Sequence, residues 1–127
     1  MAGITNRAFR RLCRQYGDDG SVAAGASGAT SLYVSEMITS RALVERVPLT
    51  MKLIETDPDE NPRSIQLYCT DPLNAGKAAR ILASEGRADH IDLNFGCPVP
   101  KVTRKGGGSA LPWKTELFRG IVSAVVR

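Results

Sequence analysis

Apolar and polar positions alternate along the chain in two periods, and the periods take turns. After Thr5-Asn6, Ala8, Phe9, Leu12, Cys13 and Tyr16 recur at helical spacing, with Arg7, Arg10, Arg11 and Arg14 mostly on the opposite face. This predicts a capped amphipathic helix, apolar face inward, that ends at Gly17. Residues 17–30 are rich in Gly, Ala and Ser and read as a mobile loop. Strand character follows over 31–38, then a helical stretch over 40–55 that Pro48 breaks or restarts. RSIQLYC (63–69) is a second strand. Asp71-Pro72 opens a helix that closes at Gly86, HIDLNFG (90–96) is a third strand, and TELFRGIVSAVVR is a final amphipathic helix after a loop over 97–112.

Strands alternating with helices argue a parallel sheet built from βα units, within one domain over residues 1–127. The alternation is incomplete at both ends. The first helix has no strand before it, and the last has no strand after it. The expectation is a piece of a larger α/β fold.

Composition narrows the classes. An apolar fraction of 43% and a charged fraction of 24% are those of a folded domain. No apolar run approaches the ~20 residues that span a bilayer, and the N-terminal arginines lack the apolar segment of a secretory signal. Cys13, Cys69 and Cys97 form no CxxC pair and no zinc spacing, so they read as reduced cytoplasmic thiols, with no metal site expected. The net charge of +4 is unevenly spread: residues 98–127 carry +5 and residues 1–97 carry −1. A basic tail quarter suits a phosphate-bearing partner. A charge excess this small is, however, more often a solvated surface.

Chemistry concentrates in HIDLNFGCPVPKVTRKGGGSALP (90–112). Asn94 and Cys97 stand at the C-terminal end of a parallel strand, where α/β folds bind ligands. Between Gly96 and Pro98, Cys97 sits in a turn with its thiol able to face a cleft. A free thiol ionises near pH ~8.5, so at neutral pH it suits a general acid. Cys13, on an apolar helix face, reads as a small core residue, and Cys69 is undecided. His90, Asp92 and Asn94 share strand parity, and three polar residues on one face need partners: a ligand, water or a neighbouring strand. Gln66 is either a buried amide satisfied by backbone or a carboxamide facing a planar ligand, and spacing leaves both open. Lys101, Arg104 and Lys105 followed by Gly106–Gly108 combine cations with exposed backbone amides, a phosphate-friendly mix without a Walker or GxGxxG pattern. Trp113 could stack on a base, although a lone Trp before a helix more often packs.

MAGITNRAF, SEMITSRAL, RSIQLY and above all DHIDLNFGCPVPKVTRKGGGSAL resemble the tRNA-dihydrouridine synthases. The resemblance implies a (β/α)8 TIM barrel, of which this chain would hold about the first four βα units with the first strand mostly missing. It implies FMN as cofactor, NADPH as electron source and tRNA as substrate. Cys97 matches the family cysteine that donates a proton to C5 of uracil. Met1, Ala2 and Gln66 match positions that contact the flavin, and Asn94 matches an asparagine near flavin and uracil. Lys101 and Arg104 would face the RNA. The family glycine after QL is here Cys69, which would crowd a strand end near the site. The family's later flavin-binding lysine and histidine have no counterpart in these residues, so the chain alone is expected to be inactive, in an oligomeric state the sequence leaves open. Two other readings are a dihydroorotate- or dihydropyrimidine-dehydrogenase-like flavoprotein, which the Lys/Arg-Gly run disfavours, and a non-catalytic RNA-binding remnant.

Overall fold

The computed structural model describes residues 3–23 and 31–127. Its elements run α1 (Arg7–Ala23), β1 (Ile38–Thr39), α2 (Ser40–Val44), α3 (Pro48–Leu53), β2 (Ser64–Tyr68), α4 (Pro72–Ser84), β3 (His90–Leu93), α5 (Pro100–Thr103), a 3-10 turn (Gly108–Ala110) and α6 (Thr115–Val126). Among the described residues the sheet has three strands in the order β1-β2-β3, all parallel. The α/β class and the parallel sheet agree with the alternation in the sequence.

Caps set most boundaries. Asn6 Oδ1 accepts the Phe9 amide at 3.0 Å, Thr39 Oγ1 that of Ala42 at 3.2 Å, and Asp71 Oδ1 that of Asn74 at 2.8 Å. Pro48 restarts the 40–55 stretch as the first residue of α3, after Arg46 at φ +52° turns the chain. Gly86, at φ +59°, follows α4 in the left-handed conformation that glycine tolerates.

The sheet has one apolar and one polar face. Ile65, Leu67 and Cys69 join Ala75, Ala78 and Leu82 of α4 and Ile121 of α6 in the main buried cluster. Gly76 lets α4 and α6 close up, since a Cβ there would meet the Ala124 carbonyl at 2.9 Å. Phe118 of α6 packs against this cluster together with Phe95, ring centroids 4.8 Å apart in a T-shaped pair. The residues of opposite parity, Ser64, Gln66 and Tyr68 on β2 and His90, Asp92 and Asn94 in and after β3, share the other face.

Three expectations change. The predicted 31–38 strand shrinks to a single bridge, Val34 with Ser64, followed by Ile38–Thr39. Ser35 is the cause: its hydroxyl, in place of a carbonyl, accepts the Gln66 amide at 3.0 Å, and the pairing slips from Val34↔Ser64 to Ile38↔Leu67. The first helix does not stop at Gly17. It runs to Ala23, because Gly17 leaves room for the Tyr33 hydroxyl, which donates to the Cys13 carbonyl at 3.0 Å. The rest of the predicted 17–30 loop, residues 24–30, lies outside the described residues.

The third change inverts α1. Arg10 and Arg14 are buried, while Phe9, Leu12 and Tyr16 are exposed. The acidic turn between α3 and β2 supplies the reason. Glu60 pairs with Arg10 through two oxygens at 2.6 and 3.1 Å, and Asp57 pairs with Arg7 at 2.5 Å and Arg14 at 3.2 Å. Arg10 also donates to the carbonyls of Thr5 and Glu55. A buried arginine is tolerable only with such complete pairing.

Candidate active site at the strand ends

The polar face of the sheet carries a continuous hydrogen-bond chain. Gln66 Nε2 donates to Asp92 Oδ2 at 2.5 Å, and Asn94 Nδ2 donates to Gln66 Oε1 at 3.3 Å. Asn94 Oδ1 in turn accepts the backbone N–H of Cys97 at 3.1 Å. The register opposes Gln66 to Asp92, and the Asn94 amide continues the ladder by donating to the Leu67 carbonyl at 2.9 Å. Three predicted residues, Gln66 in the middle of β2 and Asn94 and Cys97 just beyond β3, are thereby brought together. His90 lies at the other end of the strand and meets Ser64 Oγ at 2.8 Å, apart from this chain.

The segment after Cys97 folds back over it. Ser109 N donates to the Cys97 carbonyl at 3.0 Å, and a Cβ on Gly108 (φ +56°) would collide with that carbonyl and with Val102. A Cβ on Gly107 would run into the Tyr68 ring, whose hydroxyl donates to the Val102 carbonyl at 3.1 Å. Burial, with Cys97 and Cys69 nearby, pushes the Tyr68 phenol above its ordinary range, so it is held as a neutral donor. Cys97 itself is half-buried.

These contacts correct the phosphate-cradle expectation for the glycine run. Gly106–Gly108 are buried and serve close packing against Tyr68, Cys97 and the Lys114 side chain. Lys101 and Arg104 are exposed and stand outside the Gln66–Asn94–Cys97 chain. Cys69 does not crowd the polar face. It packs on the apolar face, beside Ser40, and burial raises its thiol to about 11, an inert core cysteine. Met1 and Ala2 lie outside the described residues, but the adjoining Gly3 amide donates to the buried carboxylate of Glu36 at 2.5 Å. Asp92, placed by strand parity beside Asn94, finds its partner in Gln66, whereas Tyr68 is a site neighbour that spacing did not single out for function. The parity of Tyr68 with Gln66 was the available signal. A separate cavity of about 590 Å³ lies between α1 and α3, lined by Arg7, Arg11, Leu49 and Lys52 among others.

A family model described as dihydrouridine synthase (Dus) matches residues 1–127. The chain belongs to that family. A probable tRNA-dihydrouridine synthase of Mycobacterium tuberculosis is 58% identical over 127 residues, covering 100% of this chain and 31% of the relative. A probable tRNA-dihydrouridine synthase of Mycobacterium leprae is 50% identical, covering 100% of this chain and 37% of the relative. The tRNA-dihydrouridine synthase B of Pseudomonas aeruginosa is 37% identical, covering 100% and 34%. The chain thus spans about a third of the length of the curated relatives it matches. Among the described residues no helix is long and apolar enough to cross a membrane, and no group of three His, Cys, Asp or Glu is placed to hold a metal.

Proposed function

We propose that this chain forms part of an FMN-dependent tRNA-dihydrouridine synthase, with NADPH as the electron source, and that Cys97 is the proton donor. Its three parallel strands are then a sector of a (β/α)8 barrel, polar face inward and helices outside. A tRNA substrate and three free thiols fit a cytoplasmic enzyme.

The residues present fit a flavin ring. Gln66 and Asn94 each use one amide N–H on each other or on Asp92, which leaves one N–H on each for a planar ligand that offers acceptors along its edge. Reduced FMN, when bound, supplies hydride to C6 of uracil. The protein's part is to hold the base out of the RNA stack and deliver a proton to C5. The Cys97 Sγ–H bond breaks, C5 gains the proton, and the thiolate left behind is restored from solvent. The Asn94–Cys97 contact carries this reading, because it fixes the cysteine backbone to the same side chain that touches Gln66.

The test is Cys97→Ala in a full-length relative carrying this segment. Bound FMN should be retained, while dihydrouridine formation falls about 10²–10⁴-fold. Undiminished turnover overturns the assignment. Cys13→Ala is the control and should leave turnover unchanged.

A further inference from the structure

Trp113 is 89% exposed, the most exposed large apolar side chain among the described residues. It does not pack against the helix it precedes. The backbone holds it out: Lys114 N donates to the Leu111 carbonyl at 2.9 Å, closing a turn with Pro112 and Trp113 at its two central positions. Leu111 is buried on one side of this turn and α6 begins on the other. Proline at the first central position pre-sets the turn, so the indole is displayed on a stiff support.

The surroundings are cationic. Lys101, Arg104, Lys105 and Lys114 are all exposed, and the Lys114 side chain curls back onto Gly106, next to Arg104 and Lys105. Between Cys97 and Thr115 the sequence has no acidic residue, and the first one after it, Glu116, is paired with Arg119 at 3.3 Å. The same segment touches the site, since Ser109 bonds the Cys97 carbonyl. Trp113 lies four positions after Ser109, a reach of at most ~14 Å. An exposed aromatic amid cations, without acidic neighbours, has the make-up of a surface that stacks an unpaired base while lysines and arginines follow its backbone.

We propose that Trp113 is a stacking platform for an unpaired nucleotide of the RNA, neighbouring the uridine presented to Cys97. The inference rests on reading the chain as part of a tRNA-acting enzyme, and adds a base-contacting residue to it. Lys101, Arg104, Lys105 and Lys114 contact phosphates, and Trp113 contacts a base face.

Trp113 is the single tryptophan of the sequence, so its fluorescence reports the contact directly. The 127-residue chain is titrated with an unmodified tRNA transcript and with a fluorescently end-labelled oligouridine. Tryptophan quenching and label anisotropy are followed together across a range of salt. Quenching should track binding. Trp113→Ala should weaken affinity roughly five- to a hundred-fold without changing the salt slope, and Trp113→Phe should restore most of the loss. Lys105→Gln should instead lower the salt slope by about one. Far-UV circular dichroism should be unchanged in all three variants. Binding that leaves the tryptophan unquenched, or that Trp113→Ala alters less than two-fold, overturns the inference and leaves the tRNA reading intact. Absence of any RNA binding by the unsubstituted chain overturns the inference. A concentration-dependent blue shift without RNA would identify Trp113 as a contact between copies of the chain and also overturn it.

Discussion

The side chain of Asn94 accepts the backbone N–H of Cys97 at 3.1 Å, so the residue that closes the polar ladder of β3 also fixes where the cysteine backbone turns. Asn94→Ala removes that acceptor and the donor to Gln66 together. Each ordinary hydrogen bond contributes about 0.5–1.5 kcal/mol, so a loss of about 1–3 kcal/mol is expected in urea unfolding. In a full-length relative, turnover should fall further than FMN retention. An Asn94→Ala variant with native stability and native turnover would show that the turn is held by the Ser109 contact alone.

Asp92 sets the direction of the Gln66 amide. An ionised carboxylate only accepts, so Gln66 must turn its NH2 toward Asp92 and its oxygen toward Asn94. Asp92→Ala removes the constraint and should cost about 1.5–3 kcal/mol, as expected for a hydrogen bond to a charged group. Asp92→Asn keeps the shape and an acceptor, and should fall between the two. The Gln66 side-chain amide should give one sharp pair of nitrogen–proton NMR signals in the unsubstituted chain and broadened signals in Asp92→Ala. Sharp, unshifted signals in that variant would show that Asp92 does not orient the amide.

Arg10 and Glu60 form the buried pair that ties α1 to the acidic turn before β2, with both side chains only 1% exposed. Glu60→Ala leaves the Arg10 guanidinium buried without its main partner and should cost about 3–5 kcal/mol. Leu12→Ser, on the exposed face of the same helix, should change stability by no more than about 0.5 kcal/mol. Thermal or urea unfolding of the two variants checks the contrast, and an equal loss in both would mean that α1 docks through its apolar face after all.

That contrast also marks where the sequence was legible. The starts of α1 and α4, the restart at Pro48 and the shared parity of His90, Asp92 and Asn94 follow from local chemistry, and the structure has them. The orientation of α1 does not. Period 3.6 finds an apolar stripe, but Asp57 and Glu60 lie some fifty residues away, and only the fold reveals that the arginine stripe faces them. The glycine run after Lys105 misled for a related reason. Its composition suits a phosphate loop, yet what decides its role is a tertiary contact with Tyr68 and Cys97. The interrupted first strand likewise depends on one hydroxyl, Ser35, taking an acceptor position normally filled by a carbonyl.

Acid should loosen the chain at identifiable points. Arg7 and Arg14, paired with Asp57, hold its carboxyl below the ordinary 3.8. Arg46 and Arg87 bring Glu85 down to about 2 from 4.5, and Arg63 brings Asp89 down to about 2 from 3.8. A carboxylate whose folded pKa is depressed binds its proton more readily in the unfolded chain. Its stabilisation is therefore complete above the unfolded value and is lost as pH falls toward the folded one. Stability should be level above pH ~5 and decline between there and pH ~2. The Glu85 and Asp89 pairs are at the surface and screened by salt, whereas Asp57 is buried against α1. Urea midpoints measured from pH 7 to pH 2 should hence show an acid limb that shrinks but survives in 1 M salt. Asp57→Asn should flatten what remains. An acid limb that vanishes in salt, or one indifferent to Asp57→Asn, would locate the sensitivity at the surface pairs and remove the buried arginine cluster as its source.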